Sequence, residues 1–233
     1  MLSNFSRQCL INAYRQSSDK IIVIPGGVDI NKFVPAINKN TLRDNLALPK
    51  DKIILLTARR LAARMGLENL IYAIKKVSKS NRNIFLVIIG DGFLRAKLKE
   101  IIKQENLERY IVLQGPVNME KIPVYYQASD VFIMPTEHDE WFGLVTIEAL
   151  SCGVPVLGTP IGGIAEILTN IDKNLLFSGT SSSDMAAGIF KFLENKNAFI
   201  TNSHNFRAHI VEKYSWEIVC KKTEKVYYAL RRP

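Results

Sequence analysis

The sequence predicts an α/β fold: a Rossmann-like parallel sheet with helices on both faces, plus further helices towards the C-terminus. Three observations carry this. Apolar runs of strand length recur, as at residues 53–57, 84–89 and 131–134. Helical stretches with one apolar face lie between them. Glycine-bearing turns follow the strand candidates. Near-continuous apolar strands alternating with amphipathic helices belong to a parallel sheet covered on both faces, with right-handed crossovers.

In chain order, residues 3–16 read as a short helix with Phe5, Cys9, Leu10 and Ala13 on roughly one face. Residues 20–24 read as a strand stopped by Pro25-Gly26-Gly27, and residues 28–35 as an extended linker. A helical turn is expected at 41–46. The alternation then begins: strand 53–57, helix 66–78, strand 84–89 and a helix through 102. Strand 110–113 and helix 119–127 follow, then strand 131–134, a helix from Gly143, strand 154–157 and a helix at 162–168. A last short strand is expected at 175–177, and helices at 184–193, 198–214 and 216–230.

The 233 residues are 47% hydrophobic and 23% charged, enough apolar material for a substantial core. The net charge of +9 fits nucleic acid, an anionic membrane surface or phosphorylated small ligands. No basic strip with interleaved aromatic residues is present, so nucleic acid is not expected as a partner. Three widely spaced cysteines, Cys9, Cys152 and Cys220, point to reduced thiols and a cytoplasmic protein. No apolar run approaches a membrane span, and the N-terminus lacks the apolar segment of a signal peptide. Peripheral contact with the inner face of the membrane through basic residues stays open.

The most informative stretch runs from His138 to Leu150. It follows the strand closed by Pro135 and leads through Gly143 into a helix, placing an acidic loop and a helix N-terminus at the carboxyl edge of the sheet. Such crevices bind ligands, and the unpaired amides of a helix N-terminus favour phosphate. Glu148 stands among Val145, Ile147, Ala149 and Leu150, where a carboxylate needs hydrogen-bond donors such as sugar hydroxyls. The plain alternative is an exposed helix-face glutamate favoured by the helix dipole. Further glycine turns at Gly66, Gly90-Asp91-Gly92, Gly115 and Gly162-Gly163 would line the same rim. Arg59, Arg60 and Arg64 crowd one loop, where guanidinium groups could pair with a diphosphate; a solvated basic loop is the alternative.

Several chemistries are excluded. Gly90-Asp91-Gly92 lacks the third glycine of a dinucleotide fingerprint, Ala96 standing four residues on. There is no Walker-type Gly-Lys-Ser/Thr and no Gly-x-Ser-x-Gly. The run Glu137, His138, Asp139 and Glu140 cannot all face one ion, so no metal site is expected.

The order of these pieces resembles the family 4 (group 1) glycosyltransferases. The resemblance rests on Pro25-Gly26-Gly27-Val28-Asp29 with Phe33, Arg60-Leu61 with Gly66, Gly90-Asp91-Gly92, Gly115, and Tyr126 with Ala128 and Asp130. Above all it rests on Glu140 and Glu148 around Phe142-Gly143-Leu144-Val145, followed by Gly153-Val154-Pro155-Val156 and Gly162-Gly163 with Glu166. It covers about residues 4–166. It implies the GT-B fold, two Rossmann-like domains facing a cleft, of which this chain would be the C-terminal, donor-binding domain. Residues 1–20 would be the remnant of the N-terminal domain and linker, 21–210 the nucleotide-sugar-binding domain, and 211–233 the C-terminal crossover helix.

By resemblance, Glu148 would accept from the ribose diol and Glu140 would contact the donor sugar. Backbone amides of Phe142, Gly143, Leu144 and Val145 would hold sugar and phosphate. Arg60 would neutralise the diphosphate. The family's usual lysine is Met65 here, and Arg64 would replace it with help from Arg59. Gly90 and Gly92 would line the donor site, Gly115-Pro116-Val117 would meet the base, and Gly163 and Glu166 would support the phosphate side. The implied function is retaining glycosyl transfer from a nucleoside-diphosphate sugar, without cofactor or metal, to an acceptor held by the missing N-terminal domain. The fragment alone would bind donor and transfer little. A non-catalytic nucleotide-sugar-binding module and a GT-B synthase or epimerase remain alternatives.

Overall fold

The computed structural model describes residues 1–230. Among these, parallel strands β1 (Ile53–Ala58), β2 (Ile84–Ile89), β3 (Ile111–Gly115), β4 (Val131–Met134) and β5 (Val156–Gly158) form one sheet in the order β3-β2-β1-β4-β5. Their side chains are buried on both faces, apart from Ile53, Phe85 and parts of edge strand β3, as expected where helices cover both sides. The register pairs Ile53 with Ile84 and Leu55 with Val131. The strand order therefore reverses between β1 and β4.

The helices are α1 (Asn4–Tyr14), α2 (Lys39–Asn45), α3 (Leu67–Ser78), α4 (Arg95–Gln104), α5 (Ile122–Ala128), α6 (Leu144–Ser151), α7 (Gly162–Ile171), α8 (Ser182–Glu194), α9 (Lys196–Thr201), α10 (Ser203–Tyr214) and α11 (Trp216–Leu230). Right-handed crossovers put α3 and α4 on one face, with α8 packed on α3; α5 and α6 take the other, joined by α2 and α10. Leu70, Ile71, Ile74 and Val77 of α3 are fully buried, each contributing about 1.5–3 kcal/mol. Arg207 of α10 fastens the 28–35 linker, donating to the Phe33 and Ile30 carbonyls at 2.7 and 3.0 Å. No helix among the described residues is long and apolar enough to cross a membrane.

Three expectations are corrected. Residues 20–24 form no strand: Ser18–Lys20 is a 3-10 turn, and Ile24 N–H donates only to the Met1 carbonyl, at 2.9 Å. The run meets no sheet edge, so its side chains stay half-buried or exposed. Residues 175–177 form no full strand, Leu176 making a single bridge to Gly158 after the 3-10 turn Lys173–Leu175. The helix expected at 198–214 is two, α9 and α10, parted at Asn202, a residue type that competes for backbone hydrogen bonds.

Candidate functional site

The reversal between β1 and β4 opens a crevice outside the carboxyl ends of these strands, the place where open α/β sheets take ligands. Two loops meet there. The loop after β1 carries Arg59, Arg60 and Arg64; the loop after β4 carries residues 135–143. They are tied by main-chain and side-chain bonds: Glu137 N–H donates to the Arg64 carbonyl at 2.9 Å, and Arg64 Nη1 to the Asp139 carbonyl at 2.7 Å.

The third tie is an ion pair. Arg59 donates through Nη2 to Glu140 Oε2 and through Nη1 to Thr136 Oγ1. Its side chain is 6% exposed and that of Glu140 12%. Thr136 Oγ1 also donates to Glu140 Oε2, at 3.3 Å, and Thr159 Oγ1 donates to the Thr136 carbonyl at 2.6 Å. One oxygen of Glu140 is thus committed twice. Among the described residues nothing pairs with the other, Oε1.

Glu148, one turn into α6, is arranged in the same way. Tyr126, wholly buried on α5, donates its hydroxyl to Glu148 Oε2 at 2.9 Å, while Oε1 has no partner among the described residues. Burial lifts the Glu148 carboxyl above its ordinary value, and the Tyr126 hydrogen bond and nearby Lys32 offset only part of this. Tyr126 itself is raised well above the ordinary phenol value, by burial first and then by Glu148, so it stays a neutral donor.

Gly143, with φ +90°, turns the chain from the loop into α6, a conformation other residues adopt rarely. The amides of Phe142, Gly143, Leu144 and Val145 donate to no group among the described residues and stand at the positive end of the helix. Phe142 is buried against Tyr214, with ring centroids 6.0 Å apart. Gly163 permits close packing: its amide donates to the Glu140 carbonyl at 2.9 Å, and a Cβ there would sit 2.5 Å from Phe142 Cα.

The other expected residues fall into place unevenly. Arg60 is exposed at the rim. Met65, at the expected lysine position, is buried in the core. Arg64 is half-buried and holds loop backbone, whereas Arg59 enters the acidic site. Gly92 N–H donates to Asp91 Oδ1 at 2.8 Å and Gly90 N–H to the Gly115 carbonyl at 2.9 Å, so these amides shape the rim and are already paired. Gly115, Pro116 and Val117 stand at the end of edge strand β3, with the Arg95 guanidinium over Gly115. Glu166 caps α1: its carboxylate accepts from the amides of Asn4, at 3.0 Å, and Phe5. His138 is exposed and pairs with Asp139, and no group of three or more possible metal ligands occurs among the described residues.

The sequence pattern assigns Tyr126 and Thr136 no role at the site. Tyr126 is one of two adjacent tyrosines on α5 with nothing in its spacing to single it out, and Thr136 likewise carries no distinguishing pattern.

Fold and crevice together define a Rossmann-like ligand-binding unit of the switch-point kind. The profile of the glycosyl transferases group 1 matches residues 38–213, and the chain belongs to that family. An uncharacterised glycosyltransferase from Methanocaldococcus jannaschii is 27% identical over 231 residues, covering 97% of this chain and 58% of that protein. HepE from Anabaena, solved in complex with UDP, superposes with a TM-score of 0.87 at 22% identity, over 97% of this chain and 62% of that one. The C-terminal domain of a group 1 glycosyl transferase from Francisella tularensis superposes with a TM-score of 0.73 at 24% identity, over 82% of this chain and 100% of that one. The fold is thus that of the C-terminal half of a GT-B glycosyltransferase. The chain spans about half the length of the curated relatives it matches.

Proposed function

We propose that this chain binds a nucleoside-diphosphate sugar and forms the donor half of a retaining glycosyltransferase, with the acceptor held by a further domain. The observation that carries this is the pair of half-committed carboxylates, Glu140 and Glu148, flanking the unpaired amides at the start of α6. Each offers one oxygen to hydroxyl donors, and the amides offer donors to phosphate. Glu148 would take the ribose, Glu140 the sugar, and residues 142–145 the diphosphate. Arg60, exposed at the rim, would stabilise charge developing on the departing diphosphate. The UDP and UDP-glucose complexes of HepE support a donor of this type.

The positive charge the diphosphate needs comes from arginine and the helix terminus, so donor binding is expected to persist in EDTA; loss on chelation would refute a metal-free site. The central test is calorimetric titration of the chain with UDP, GDP, ADP and the corresponding sugars. At least one should bind, and Glu148→Ala should abolish binding. Failure of every nucleotide to bind, or undiminished binding by Glu148→Ala, sinks the reading. Retention is checked on the longer protein by the anomeric configuration of its product.

A further inference from the structure

Arg59 is the one arginine of its loop whose charge is withdrawn into the site. Its side chain is 6% exposed, and its planar head bridges two acceptors on the β4 loop, Thr136 Oγ1 and Glu140 Oε2. Nη1 also lies 3.6 Å from Met134 Sδ. A guanidinium is a rigid fork, so holding two acceptors fixes the orientation of both. Glu140, in contrast, sits on a loop and its terminal torsion is soft, so its carboxylate plane needs outside support. Thr136 alone, at 3.3 Å, would give one weak contact.

We propose that Arg59 is a positioning residue for donor-sugar recognition: it captures one oxygen of Glu140 and thereby presents the other to the sugar hydroxyls. The inference rests on the donor-binding reading and adds to it a division of labour. Arg60 serves the diphosphate from the rim, while Arg59 serves the sugar through Glu140. Arg59 directs its Nη atoms to Thr136 and Glu140, and Arg64 is turned to the Asp139 carbonyl, so neither reproduces the lysine that Met65 displaces.

The measurement is the ratio of the dissociation constants of UDP and UDP-glucose, which isolates what the sugar adds. Wild type should bind UDP-glucose more tightly than UDP. Arg59→Met should bring the ratio close to one, a loss of roughly tenfold for a hydrogen bond to a charged group, while UDP affinity changes less than about twofold. Arg59→Lys, which restores the charge but reaches only one acceptor, should recover part of the ratio; Glu140→Gln should match Arg59→Met. A parallel fall in UDP affinity overturns the proposal in favour of direct diphosphate pairing, and an unchanged ratio overturns it outright. Should Arg59→Met not fold, Arg59→Lys decides: a wild-type ratio there counts against the two-acceptor fork. A wild-type chain that binds no nucleotide fails the functional reading itself; one that binds UDP and UDP-glucose alike fails only this proposal.

Discussion

The Tyr126 hydroxyl donates to Glu148 Oε2 at 2.9 Å from a wholly buried ring, fixing a carboxylate that burial alone would push towards its neutral form. The two ends of the titration have opposite signs. The raised pKa means that neutral Glu148 is favoured in the fold, so its contribution to stability is full below the ordinary carboxylate range and declines as pH rises through the raised value. Ligand hydroxyls, however, need the carboxylate. Nucleotide affinity should therefore weaken as pH falls from neutrality through that value. Tyr126→Phe removes an influence that lowers the pKa, so the inflection should move to higher pH; an unshifted profile in the variant contradicts the assignment.

Gly163 packs α7 onto the loop that carries Glu140. A methyl group there would lie 2.5 Å from Phe142 Cα and 2.8 Å from the Trp141 carbonyl oxygen, both backbone atoms. Gly163→Ala is expected to displace residues 140–142 and to cost about 1–3 kcal/mol of stability by overpacking. Chemical denaturation measures the cost, and titration with UDP-glucose should show a weakened site.

Asp130 stabilises the opposite edge of the sheet. It pairs with buried Arg43 at 2.6 Å, accepts from the Ile54 amide at 2.8 Å, and faces Lys39 and Lys196 at 3.4 and 3.7 Å. Burial pushes its pKa up, but Lys39, the Ile54 amide, Arg43 and Lys196 together hold it below the ordinary value. Its stabilisation is present above the ordinary carboxylate range and lost as pH falls through the lowered value. Asp130→Asn leaves Arg43 uncompensated and should cost about 3–5 kcal/mol at neutral pH. Urea melts across the acid range should show a flatter pH dependence for the variant.

Cys152 is buried and its thiol is pushed up to about 12, chiefly by burial. Since the thiolate is the reactive form, iodoacetamide at neutral pH should label exposed Cys220 and spare Cys152 until the chain is unfolded. Mass spectrometry of labelled peptides distinguishes them, and early labelling of Cys152 would contradict the packing around it.

The sheet is legible because β1, β2 and β4 are apolar runs with no competing period, and helix α11 because Trp216, Val219, Val226 and Leu230 recur at helical spacing after Ser215. The run at residues 20–24 carries the same local signal as a strand; whether a partner edge lies beside it is a tertiary fact that composition does not encode. The same limit applied to the arginines. Their spacing places all of them in one loop, yet which one turns inward depends on Thr136 and Glu140, contributed by the loop after a strand far along the chain. Glu148 could be picked out by its apolar neighbours. Its donor, Tyr126, looked like any aromatic residue of a core helix.

The pairing of β1 with β4 joins residues that are 76 positions apart at Leu55 and Val131. The strands β1, β2 and β3 can assemble from neighbouring segments, and β4 with β5 likewise, but neither group alone contains both Arg59 and Glu140. Closing the seam between them costs chain entropy that local contacts do not repay. Competence to bind therefore requires the closed seam: with its halves apart the chain could keep most of its secondary structure and would have no pocket. A ligand bridging the seam would act as a clasp, and nucleotide added during refolding should protect the β1 and β4 amides against hydrogen exchange together.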